Sequence, residues 1–296
     1  MVGDESISLE GLQFNLTIIK AATNNFSHEN KIGKGGFGEV FKGILCDGRY
    51  VAVKRLSKTS KQGSVEFENE ILLIAKLQHR NLVAFIGFWV EKQEKILIYE
   101  YKSNGSLDYL LFGTQQQKLS WSPRYKIIKR TAFRILYLHE YSKLKVIHRD
   151  LKSSNILLDE NMNPKISKFG MTKMVEMDQD RGNTNRIART YVYISPEYAM
   201  FGQFAEKSDV FSFGVIVFEI ITGKRNSSFL KLYSDVWRQW QDQTPLRILD
   251  SNIKASYSEI EVIKCIHIGL LCVQENRNIR PTTISYLNNH SLELPS

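Results

Sequence analysis

Residues 146–170 read VIHRDLKSSNILLDENMNPKISKFG, and no other stretch limits the fold of this chain as strongly. An apolar run ends in His148-Arg149-Asp150, and Asn155 follows five residues after the aspartate. Ile156-Leu157-Leu158 reads as a short strand, 159–163 as a polar turn, and a second strand leads to Lys168-Phe169-Gly170. From Lys31 onward the chain is also strand-rich. KIGKGGFGEVFKGIL sets β-branched and aromatic residues around glycines, YVAVKRL follows the Asp47-Gly48 turn, and 81–90 and 95–101 read as further strands. One helix is predicted among them at 64–77, where Val65, Ile71, Leu72 and Ala75 recur at helical spacing. Beyond Lys102 helices dominate, at 107–112, 122–141, 209–222, 232–241 and 259–273. A strand-rich first part and a helical remainder predict an α+β chain of two lobes, with a cleft at their junction near Tyr101. The boundaries read as an N-terminal segment at 1–25, a first lobe at 26–101 and a second at 102–296.

Composition narrows the function. A hydrophobic content of 43% and a charged content of 24% are ordinary for a soluble globular chain of 296 residues, long enough for a sizeable core. The net charge of +9 comes from 40 basic and 31 acidic residues spread along the whole length. That pattern reads as a basic surface plus a phosphate-binding cleft, not as a nucleic-acid patch. Cys46, Cys265 and Cys272 show no metal-binding spacing, and the last two fall on one apolar helical face, so reduced thiols in a reducing compartment are expected. Residues 1–10 are polar and acidic, unlike a signal peptide. The longest apolar run, 214–221, is broken by Glu219 and is far short of a membrane span.

Gly33, Gly35 and Gly38 form G-x-G-x-x-G. Glycines let backbone N–H groups approach phosphate oxygens where a Cβ would clash. A dinucleotide-binding turn needs a helix directly after the glycines. Here a strand follows, so the loop caps a hairpin and that reading fails. Lys54, in Val51-Ala52-Val53-Lys54, is the candidate phosphate-pairing lysine. Glu66, Glu68 and Glu70 are candidates to meet it, and Glu70, beside Ile71, is expected to face inward.

Taken together these stretches resemble a protein kinase domain over residues 26–281, most of all that of plant receptor-like serine/threonine kinases of the cysteine-rich and S-domain type. IGKGGFGEVFKG, KILIYEY, VIHRDLKSSNILLD, SPEYAM, KSDVFSFGV and CIHIGLLCVQE carry the resemblance. It implies the two-lobed kinase fold and a nucleotide site for ATP lined by Ile32, Gly33, Gly35, Gly36, Gly38, Val40, Ala52, Lys54, Tyr99, Glu100, Tyr101, Leu157 and Lys168. It further implies that Glu70 holds Lys54, that Asp150 accepts the substrate hydroxyl proton, and that Lys152 neutralises the transferring group. Asn155 would hold one Mg²⁺, Glu197 would pair with Arg280, and Asp209 would anchor the loop around Asp150. The implied partners are protein substrates and other receptor-like or cytoplasmic kinases, at the cytosolic face of the plasma membrane, where full-length relatives are membrane-anchored.

The chain departs from that pattern at Lys168, where the family carries the aspartate that chelates Mg²⁺. An ammonium in place of a carboxylate removes the oxygen ligands the metal demands, so Mg²⁺ binding is doubtful. Arg189, Val192 and Arg134 stand where relatives have glycine, and the segments after Asn226 and Arg280 look short, which would leave Arg280 less firmly placed. Thr184 and Thr190 are candidate phosphate acceptors, with Arg149 as the docking cation. The reading these residues favour is an ATP-binding receptor-like kinase domain with impaired phosphotransfer, acting through partner kinases. The alternatives are an active serine/threonine kinase that tolerates Lys168 and, remotely, a basic nucleic-acid-binding module.

Overall fold

The run Tyr50-Val51-Ala52-Val53-Lys54 alternates, and the alternation decides which side of the strand meets which layer. In the computed structural model the described residues are 9–35, 38–57, 61–76, 79, 82–92, 94–113, 119–142, 145–175, 182–183, 191–226, 229–253 and 256–281. They fall into two compact units. The first comprises the chain up to Ser103 together with Ser167–Thr172, and the second comprises Asn104–Ile166 and the chain from Lys173. This is a mixed α+β architecture, with a five-stranded antiparallel sheet in the first unit and a mainly helical second unit.

In the first unit, β1 (Lys31–Gly35), β2 (Gly38–Ile44), β3 (Tyr50–Leu56), β4 (Phe85–Glu91) and β5 (Glu94–Glu100) form an antiparallel sheet in the order β1-β2-β3-β5-β4. β4 begins later than the sequence predicts. Its register slips between Phe85 and Gly87, an irregularity that period-two patterning does not report. One face of the sheet packs Val51, Val53, Trp89, Ile96 and Ile98 beneath α1 (Leu16–Ala22), whose Ile19 is 1% exposed. The other face packs Leu56 and Leu97 against Phe67 and Ile71 of α2 (Lys61–Lys76). Val51 and Val53 thus turn toward α1, while Leu56 joins the layer under α2.

The first helix stops where three successive residues, Asn24, Asn25 and Phe26, take left-handed backbone (φ 48°, 59° and 57°). Asparagine tolerates that region better than most residues, and phenylalanine does not. Packing holds Phe26 there, edge-on to Phe41 at 5.4 Å and beneath the Arg55 guanidinium at 4.9 Å. Residues 12–14 run beside β4, with Phe14 N–H donating to the Phe88 carbonyl at 2.8 Å. The N-terminal residues from Leu12 to Phe26 are therefore a covering layer of the sheet.

The second unit contains α3 (Leu107–Phe112), α4 (Trp121–Leu136), β6 (Lys145–Ile147), β7 (Ile156–Leu158), β8 (Pro164–Ile166), β9 (Lys173–Val175) and β10 (Gly182–Asn183). It continues with α5 (Pro196–Phe201), β11 (Gln203–Phe204), α6 (Glu206–Thr222), α7 (Phe229–Gln241) and α8 (Glu259–Cys272). Its core is α6 against α8, both apolar over most of their buried positions. Their close approach needs two glycines. A Cβ on Gly214 would press on Cys272 and Val273, and one on Gly269 on the Phe218 ring. Cys265 and Cys272 are free and buried in this layer, and burial pushes both thiols up to about 12, so they behave as small apolar side chains. Cys46 is free and exposed. Among the described residues no helix is long and apolar enough to cross a membrane.

The covering layer is testable. Ile19→Ala should cost about 2–5 kcal/mol of unfolding free energy, the range for truncating a buried isoleucine. Ile18→Ala, at a side chain 44% exposed, should stay within ~0.5 kcal/mol. Urea unfolding of both variants checks this, and equal effects would show that α1 is not packed as described.

Candidate functional site

The first unit builds one group of candidate residues. β1 and β2 form the hairpin expected from the glycines, with Gly35 paired to Gly38. Gly38 has φ +146°, and a Cβ there would run into the Arg55 carbonyl, so the sheet itself demands glycine. Gly35 and Gly33 differ. Around the Cβ position of Gly35 there is open space, and at Gly33 only Val40 comes within 4 Å, at 3.8 Å. Those faces are clear for a ligand. Gly36 lies outside the described residues. Ile32 is exposed, Val40 and Ala52 are half-buried, and Val40 pairs with Lys54 across the ladder.

Of the three glutamates on α2, Glu70 is the one that meets Lys54, at 3.3 Å. Glu68 is exposed and lies 3.8 Å from Lys95, and Glu66 is buried against Gly170. Glu70 is 1% exposed. Tyr99 is fully buried nearby, and burial, then the Glu70 charge, pushes its hydroxyl well above the ordinary tyrosine value. Neither that hydroxyl nor Glu70 Oε1 has a hydrogen-bond partner among the described residues. Glu100 accepts from the Ala84 N–H at 2.8 Å and pairs with Lys102 at 2.6 Å, while Tyr101 N–H donates to the Tyr50 carbonyl at 3.2 Å.

Lys168 belongs to this unit, is exposed, and has left-handed backbone at φ 63°. Its neighbours are fixed. Phe169 is buried, and the Gly170 carbonyl accepts from Asn69 Nδ2 at 3.2 Å. Asparagine and aspartate suit such a backbone, and lysine does not.

The second unit builds the other group around the carboxylate of Asp209, in the first turn of α6. Asp209 Oδ2 accepts from His148 N–H at 2.7 Å, Oδ1 accepts from Arg149 N–H at 2.9 Å, and His139 Nε2 lies 3.0 Å from Oδ2. The chain then turns at Arg149, φ 68°, and presents Asp150. Lys152 Nζ donates to Asp150 Oδ1 at 2.8 Å. Asn155 Nδ2 donates to Asp150 Oδ2 at 2.8 Å and to its backbone oxygen at 2.7 Å, so the buried Oδ1 is the end that can face a cation. Leu157, half-buried on β7, pairs with Lys165 of β8.

Comparison with known proteins fits this arrangement. Residues 26–289 match the family described as protein tyrosine and serine/threonine kinase. The chain belongs to that family. It is 55% identical to cysteine-rich receptor-like protein kinase 5 of Arabidopsis thaliana over 287 residues, covering 94% of this chain and 44% of that protein. Cysteine-rich receptor-like protein kinase 10 of the same plant is 52% identical, covering 99% of this chain and 45% of the relative. The chain therefore spans about half the length of the curated relatives it matches.

Protein kinases use ATP with Mg²⁺. The clear faces at Gly33 and Gly35 and the Lys54–Glu70 pair fit a triphosphate. The metal fits poorly. Lys168 offers no oxygen, and among the described residues no three His, Cys, Asp or Glu side chains gather as a metal cluster.

Two expectations change. Val192 lies in the turn Tyr191–Tyr193 and is not among the left-handed residues, so the backbone at this position does not ask for glycine. Arg280 is firmly held. Its guanidinium grips Glu197 bidentately at 2.7 and 2.8 Å and donates to the carbonyls of Gln274, Lys207 and Glu275, which uses all five donors. Arg149 donates to the Tyr198 hydroxyl at 2.8 and 3.2 Å and stacks 4.2 Å from the Phe204 ring, partners the sequence reading did not foresee. Thr184, Arg189, Thr190 and the segment after Pro281 lie outside the described residues. Arg134 is buried on α4, its Nη1 donating to the Arg130 carbonyl at 3.1 Å.

Sequence reasoning also missed Glu219, a fully buried acid in an apolar helix, and that contradiction was the available signal. Its Oε1 accepts from the Tyr193 hydroxyl at 2.7 Å and from Asn226 N–H at 2.9 Å. Asn226 Nδ2 in turn donates to the Val192 carbonyl at 3.0 Å. The network ties residues 192–193 to α6.

Burial pushes the Glu219 carboxyl above its ordinary value of 4.5, outweighing the hydrogen bonds that favour its charge. A raised acid contributes stability that is present below the unfolded value and lost as pH rises through the folded one. Glu219→Gln should therefore gain stability relative to the parent as pH climbs above the ordinary carboxyl value of 4.5. Urea midpoints at rising pH test this, and a pH-independent difference would contradict it.

Proposed function

We propose that this chain is a receptor-like serine/threonine kinase domain that binds ATP but transfers phosphate poorly, and that it acts by engaging partner kinases. Lys168 carries the second half of that reading. Phosphoryl transfer depends on positioning and charge neutralisation, with little covalent chemistry for the protein to perform. A bound Mg²⁺ would supply charge neutralisation at the phosphates, and Asn155 is the residue of this chain that would hold it. Lys168 supplies no oxygen for it. At ~4 Å and an effective dielectric near 20, one charge interaction is worth about 4 kcal/mol. A barrier raised by that amount slows the reaction about a thousandfold.

The chain's own residues have the following roles in this reading. Lys54, oriented by Glu70, pairs with the α- and β-phosphates, and the Gly33–Gly38 hairpin covers them. Glu100 and Tyr101 meet the adenine, with Tyr99 behind it. Asp150 accepts the substrate hydroxyl proton at a carboxylate oriented by Lys152 and Asn155. Lys152 in Asp-Leu-Lys-x-x-Asn supports serine/threonine over tyrosine substrates. The receptor-like kinases it resembles support a place at the cytosolic face of the plasma membrane and partners of the same class. A second reading, an active kinase despite Lys168, is favoured by the intact Asp150–Lys152–Asn155 group.

Phosphate transfer to a generic basic protein separates the two. The parent should run at least ~10³-fold below the ~1–100 s⁻¹ typical of kinases. With Arg280 firmly held on Glu197 and no left-handed backbone at Val192, Lys168→Asp should recover about 10²-fold or more. A parent rate within the typical range, abolished by Asp150→Asn, would establish the second reading instead.

A further inference from the structure

The helix that orients Lys54 also fixes the backbone beside Lys168. Glu70 of α2 holds the Lys54 ammonium at 3.3 Å, and the adjacent Asn69 holds the Gly170 carbonyl at 3.2 Å. Gly170 sits so close to Glu66, one turn earlier, that a Cβ would strike that side chain. Phe169 between them is 2% exposed. Lys168 is thus an exposed cation on a pinned backbone, in the same unit as Lys54 and the clear glycine faces of the hairpin.

Its charge matches a known sum. A carboxylate with a bound dication totals one positive charge, and a lysine ammonium carries one positive charge alone. Exchanging Asp for Lys therefore reproduces the charge of the metal-loaded site without the metal. It also places a cation where a second cation would be repelled. The left-handed backbone at residue 168 does not favour lysine, so local conformation gives no reason for the residue.

We infer that this chain binds a nucleoside triphosphate in metal-free form, with Lys168 standing in for Mg²⁺ at the phosphates. The inference rests on the ATP-binding reading above. Two unit charges separate Lys168 from aspartate, and even under near-aqueous screening their interaction with a phosphate at ~4 Å amounts to about tenfold or more in affinity.

The test is equilibrium binding of ATP and of adenosine to the parent, Lys168→Met and Lys168→Asp, each in excess EDTA and in excess Mg²⁺. The parent should bind ATP in EDTA at least as tightly as in Mg²⁺. Lys168→Met, which removes a single unit charge, should lose about fivefold in EDTA without gaining dependence on metal. Lys168→Asp should bind ATP only with Mg²⁺. Adenosine, which lacks phosphates, should bind all three alike in both conditions. If the parent binds adenosine but needs Mg²⁺ for ATP, the inference is overturned while the ATP-binding reading stands. If the parent binds neither ligand under any condition, that reading fails and the inference with it. Unchanged ATP affinity in EDTA for Lys168→Met would also overturn it.

Discussion

The contact on which the candidate phosphate site of the first unit depends is the ion pair between Lys54 and Glu70. A carboxylate as deeply buried as Glu70 is tolerated only with a cation beside it. The pair does not by itself place α2. Phe67 and Ile71 bury against Leu56 and Leu97, and that apolar contact holds the helix while Glu70, one position before Ile71, turns toward the sheet. The same helix fixes the segment around Lys168 through Asn69 and Glu66. One amphipathic helix thus governs both cations of the candidate phosphate site. α1 covers the opposite face, so β3 is supported from both sides.

In the second unit a single carboxylate has the corresponding part. Asp209 accepts two backbone N–H groups from His148 and Arg149, and the strained φ at Arg149 persists because those bonds over-determine it. Asp150 is then oriented by Lys152 and Asn155. Below it, Glu197–Arg280 and Tyr193–Glu219 tie the following segment to α6 and its surroundings. These buried polar groups are satisfied mostly by one another, so a change in one partner is felt by the others.

Much of this was legible in the sequence because it is periodic or punctuated. The glycine hairpin, α2 and the apolar α6 and α8 declare themselves through spacing, and the antiparallel-sheet and helical units follow from them. What could not be read was set by distant partners. Nothing local shows that Phe26 adopts left-handed backbone, since the Phe41 ring and the Arg55 guanidinium hold it there. The partners of Arg149, Tyr198 and Phe204, lie some fifty residues on, and a docking phosphate was the only partner the local motif named. Glu219 was visible as an interruption of an apolar run, yet its meaning emerges only with Tyr193 and Asn226 beside it. The Arg280 expectation failed because it weighed missing chain and not the carbonyls that converge on the guanidinium.

The central claim is that Lys168 occupies the place of the metal. Electron paramagnetic resonance of Mn²⁺, which substitutes for Mg²⁺ at oxygen sites, reads this directly in the presence of saturating ATP. The parent should show only the signal of Mn²⁺–ATP free in solution, while Lys168→Asp should show a protein-immobilised ion. An immobilised Mn²⁺ bound stoichiometrically to the parent chain would contradict the account.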